Sequence, residues 1–135
     1  MKKILKNGLI AGIILSIISY GGIFIAITFF PSVFVEYNNP LFSAGGGRDV
    51  MFFAHAFIIS LALSWVWERY KKIFKGSFVL RGVEFGLVYT VTSLVPVMWM
   101  SFSAMDITVA MVASWVFYGL IQSMLAGIIF AKISP

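Results

Sequence analysis

The sequence contains no cysteine. Disulfides, thiol catalysis and cysteine-ligated zinc or iron–sulfur centres are therefore excluded. Charge is scarce as well: 11% of the chain is Asp, Glu, Lys or Arg, against roughly a quarter in soluble domains. There are too few polar residues to cover a soluble domain of this size, and no low-complexity tract, internal repeat or soluble domain interrupts the chain. What is abundant is apolar surface, with 61% of the 135 residues hydrophobic. That composition belongs to an integral membrane protein of one domain, with the lipid bilayer as its outer solvent.

Four apolar stretches, at about 8–30, 50–67, 82–100 and 107–131, each approach the ~20 residues a helix needs to cross a bilayer. Lipid does not tolerate unpaired backbone groups. A β-barrel would require short alternating segments, which these are not. The expected architecture is an all-α, four-helix transmembrane bundle. Pro31 marks the end of the first span and Asn38-Asn39-Pro40 a turn. Asp49 and Asp106 stand where they would cap the second and fourth spans. Trp65, Trp67, Tyr70 and Trp99 fall near span ends, as an interfacial aromatic belt would.

The net charge of +5 would suggest nucleic-acid binding in a soluble protein. Here the basic residues flank apolar spans, so orientation accounts for them and no nucleic-acid partner is expected. Lys2, Lys3 and Lys6 precede the first span, Arg69, Lys71, Lys72, Lys75 and Arg81 separate the second from the third, and Lys132 ends the fourth. With four spans these segments share one side, the cytoplasmic one, leaving only Arg48 outside. Lys2-Lys3 before an apolar run also resembles a signal peptide. The run is too long for one and ends in no clear cleavage site, so it is read as a retained span. The expected location is a bacterial cytoplasmic membrane with both termini inside. The basic loop at Arg69, Lys71, Lys72 and Lys75 is a candidate for anionic lipid headgroups.

This orientation puts the stretch from Val33 to Phe57 on the outer side, as a capping loop leading into the second helix. Glu36, Arg48, Asp49, His55 and Asp106 all fall near that face and are candidates to line a ligand pocket or to latch the loop. His55 lies about 9 Å into its helix, at 1.5 Å per residue, and an ionisable group there is a functional candidate. An acid and a histidine can exchange protons, yet no spacing matches a catalytic motif. Met51 and His55 share a helix face and would suit Cu(I). Met98 and Met100 point about 200° apart on a regular helix, so no metal site is expected, and no cofactor.

Within the spans, Gln122 and Tyr118 are expected to hydrogen-bond between helices, with Gln122 also a candidate ligand contact. Pro96 should kink the third span and free a carbonyl. Glu84 is expected to pair locally with Arg81. Small residues recur every four positions: Gly8, Gly12 and Ser16, then Ala56, Ser60 and Ser64, then Gly119, Ser123, Gly127 and Ala131. Such stripes allow close helix approach, inside one bundle or at an oligomer interface.

Three function classes follow. The leading expectation is a non-enzymatic membrane protein acting by association, as a homo-oligomer or as a subunit of a larger membrane complex. A carrier, channel or binder of an ion, lipid or small hydrophobic ligand comes second. A membrane enzyme on a lipid-borne substrate, using Glu36, His55 and Asp106, comes third.

Overall fold

The structure, a computed structural model, describes residues 1–35 and 48–135, without the side chains of Val33, Phe34, Arg48, Asp49, Phe52 and Phe53. Long runs of apolar residues with few helix breakers form helices, and among the described residues there is no strand. Helix α1 spans Lys2–Phe29, α2 Pro31–Val35, α3 Arg48–Tyr70, α4 Phe78–Tyr89, α5 Val95–Ala104 and α6 Val109–Ile133. A π-helical turn, Thr90–Leu94, joins α4 to α5, so that Phe78–Ala104 is one continuous rod. The expected four long rods are present. Three of them (α1, the α4–α5 rod and α6) are long and apolar enough to cross a membrane.

The boundaries refine the sequence reading. Pro31 opens α2, at a first helical position where its missing N–H costs nothing. The helix α3 begins at Arg48, which places Asp49 inside its first turn rather than at the cap. The cap of α6 is Thr108, not Asp106: its hydroxyl accepts from the Met111 amide at 3.2 Å. Ser77 caps α4 by accepting from the Leu80 amide, after Gly76 has turned the chain at φ +96°, a conformation glycine adopts without a side-chain clash.

Two antiparallel helix pairs build the molecule, α1 with α3 and α4 with α6. In the first, Gly8 lies against Leu61 and Gly12 against Phe57. In the second, contact is closer still. A Cβ placed on Gly82 would lie 2.3 Å from the Ile128 amide nitrogen, and one on Gly86 2.6 Å from that of Met124. A Cβ on Gly127 would meet the Gly82 carbonyl oxygen at 2.5 Å. The α4 and α6 backbones therefore touch, which only glycine permits. Gly82 and Gly86 form a fourth small-residue stripe that the sequence reading passed over.

Pro96 does not break its rod. The preceding π-turn, in which the Val95 amide donates to the Thr90 carbonyl, widens the helix by one residue just before the ring arrives. The core sits towards one end, around Trp67, Phe74, Phe85 and Phe130, with Leu15 and Leu63 beside it.

Candidate functional site

One end of the molecule collects the start of α1, the α3–α4 connection and the end of α6. At its centre is Glu68, in the last turn of α3. Its carboxylate accepts from the Ser134 hydroxyl and, at 3.3 Å, from the Asn7 side-chain amide. It is ion-paired with Lys71 at 3.3 Å and Lys3 at 3.7 Å. Lys71 also donates to the Ser134 hydroxyl at 3.0 Å and its carbonyl at 3.4 Å. Partial burial and the adjacent Lys3 push the Lys71 ammonium below the ordinary lysine range, against the pull of Glu68. Ser64 donates across to the Ile4 carbonyl at 2.9 Å. Three helices are thus tied through one carboxylate.

Beneath this knot lies an aromatic cluster. Trp67 is fully buried, stacked on Phe74 and edge-on to Phe85. Its indole N–H donates to the Ser134 carbonyl at 3.0 Å. The Arg81 guanidinium sits 5.2 Å from the Trp67 ring centre and donates to the Lys71 carbonyl at 3.2 Å. Its Nε is buried without a hydrogen-bond partner. Trp67 is therefore a core residue and not part of an interfacial belt; Trp65 and Trp99 are the exposed ones. Arg81 has turned to this cluster, and Glu84 is exposed with no ion pair among the described residues.

A second polar place lies midway along α6. Gln122 is 3% exposed. Its amide nitrogen is 3.5 Å from the Ser19 hydroxyl on α1 and 3.4 Å from the Tyr118 hydroxyl, both long for hydrogen bonds. Its Oε1 is buried and has no partner. Such an acceptor is uncommon and costly in an apolar setting.

The other candidates are not brought together. Glu36 lies outside the described residues, as do the side chains of Arg48 and Asp49. His55 and Asp106 are exposed, and neither is hydrogen-bonded or ion-paired among the described residues. No group of three His, Asp or Glu residues capable of holding a metal occurs among the described residues. The small residues are covered by the chain itself. Ser60 is buried and donates to the Ala56 carbonyl, Gly119 lies against Leu94, and Ser123 donates to the Gly86 carbonyl at 3.3 Å. With α4 seated on Ser123 and Gly127, another helix has no access to that face.

Glu68, Asn7 and Ser134 were missed in the sequence. Glu68 carried a usable signal, as the only acid within the basic connection between the second and third spans. The Gln122 environment was legible only as one polar residue in an apolar run. Comparisons with protein-family models, with characterised proteins and with solved structures found no match to this chain.

Proposed function

We propose that the chain is an integral membrane protein of four spans that acts by association, as a homo-oligomer or as a small subunit of a larger membrane complex. The observation that carries this reading is the bareness of α5. None of its residues is buried, although it continues a rod whose first half is packed to backbone contact. Pro96, Val97, Met100, Ser101, Ala104 and Met105 form one open, mostly apolar side of it. The ridge of another helix fits against such an apolar face. The small-residue stripes are already used within the chain, and α5 is the surface proposed for a partner.

The orientation rests on charge. The end bearing Lys3, Lys71 and Arg81 is assigned to the cytoplasm, with both termini. Reporter tags on Met1 and Pro135 are expected on the same side of the membrane; tags on opposite sides would refute the four-span arrangement. Native mass spectrometry of gently solubilised protein is expected to show an oligomer or a hetero-complex. A monomer that brings down no partner would count decisively against association.

The unpartnered Gln122 acceptor favours a second reading, a binder or carrier of a small donor-bearing ligand between α1 and α6. Under it, Gln122→Leu abolishes ligand binding or flux. Under the first reading, the same change leaves association intact.

A further inference from the structure

The cations at the basic end are unequally employed. Lys3 and Lys71 share the Glu68 carboxylate, Arg81 is turned onto Trp67, and the Arg69 guanidinium lies 3.8 Å over the Trp65 ring. Lys2 and Lys6, like Lys72, Lys75 and Lys132, are exposed and form no ion pair among the described residues. Lys2 and Lys6 stand four residues apart, on the side of α1 that faces away from the buried face at Asn7, Gly8, Ala11, Gly12 and Leu15. On that same outward side, Leu5 lies between them and Leu9, Ile10 and Ile13 follow. Together these six residues form one open face of α1, cationic at its start and apolar beyond. Leu5, Leu9 and Ile13 are 55%, 43% and 54% exposed. This face begins at a helix start that has no side-chain cap and no acidic residue in its first turn, where the helix dipole end is positive.

From this we infer that the outward face of α1 is a binding site for one anionic phospholipid. Lys2 and Lys6 take the headgroup phosphate, with the uncapped first turn behind them, and an acyl chain lies along Leu5, Leu9 and Ile13. The cationic and apolar parts of this face match the two parts of such a lipid in charge and polarity. The employed cations, Arg69 and Lys71 among them, are not the site. This inference rests on α1 spanning the membrane and is independent of association.

The test uses the full chain in nanodiscs of phosphatidylcholine doped with phosphatidylglycerol, read by native mass spectrometry. Prior flotation with vesicles of phosphatidylcholine alone checks the membrane reading separately; protein that stays out of those vesicles would refute that reading. Wild type is expected to retain one phosphatidylglycerol through release from the disc. The double variant K2Q/K6Q should retain it about thirtyfold less well, roughly 2 kcal/mol for two basic residues at an anionic surface. Each single variant should lose about fivefold, which keeps the test alive if the double variant folds poorly. K72Q/K75Q removes the same charge at the same end and should change retention less than about threefold. The site is overturned if wild type holds phosphatidylglycerol no better than phosphatidylcholine, or if the two double variants lose it equally.

Discussion

The two ends of the molecule are held by different means. At the basic end, a carboxylate, two ammonium groups, an indole and a serine join three helices, above four aromatic rings and a backbone-to-backbone helix contact. At the opposite end, the last turns of α1 and the whole of α5 expose large apolar side chains, Phe24, Phe29, Trp99 and Met100 among them. Only the first end is self-sufficient. The second buries little beyond Ile107 and Met111, so much of what its apolar side chains meet, lipid or protein, lies outside. Polar ties between helices are concentrated in the first half.

Substitutions at the two ends should reflect that division. The largest loss is expected for Gly82→Val. Its side chain would have to enter the α6 backbone at Ile128, which cannot give way as a flexible side chain would. Overpacking of this kind costs about 3 kcal/mol or more, and the expected outcome is protein that fails to remain folded in mild detergent, read by thermal aggregation. Glu68→Ala should follow, at about 2–3 kcal/mol in unfolding titrations, because Lys71 and Ser134 would lose their shared partner in a largely buried place. Trp67→Phe removes the donor to Ser134 and leaves part of the indole's volume empty in a fully buried place. About 2 kcal/mol is expected from the same titration. Gly21→Ala and Gly22→Ala should have the smallest effect. A Cβ at either position meets nothing within 4 Å, so the melting temperature should hold or rise slightly, by the helix propensity gained. A large loss at Gly21 would erase the contrast between the ends.

Length and hydropathy made the four rods legible, because a crossing helix is a long one-dimensional signal. Small residues at four-residue spacing likewise announced close packing, although not which helix would supply the opposing face. The polar knot was hidden for a different reason. Asn7 and Glu68 are 61 positions apart, and Trp67 meets Ser134 across 67. Periodicity reports the face of one helix and carries no record of which faces meet. Trp67 shows the limit well. Its position near a span end and its amphipathic ring suited an interface, yet three phenylalanine rings and one carbonyl oxygen from elsewhere in the chain made it core. Pro96 was correctly marked as an irregularity. Its form was not legible, since a kink and a widened turn both accommodate the ring.

That widened turn, Thr90–Leu94, has one further consequence. It holds one more residue than an α-turn would, so everything beyond it is rotated by about 100° from where an uninterrupted helix would carry it. The phase of α5 is thus set by a single residue of chain length and not by the residues of α5 themselves. Excision of one residue from this turn would leave Gly82 and Gly86 seated on α6 while swinging Trp99 and Met100 to a new bearing. The bare half of the rod is, in effect, indexed by a one-residue gear between it and the packed half.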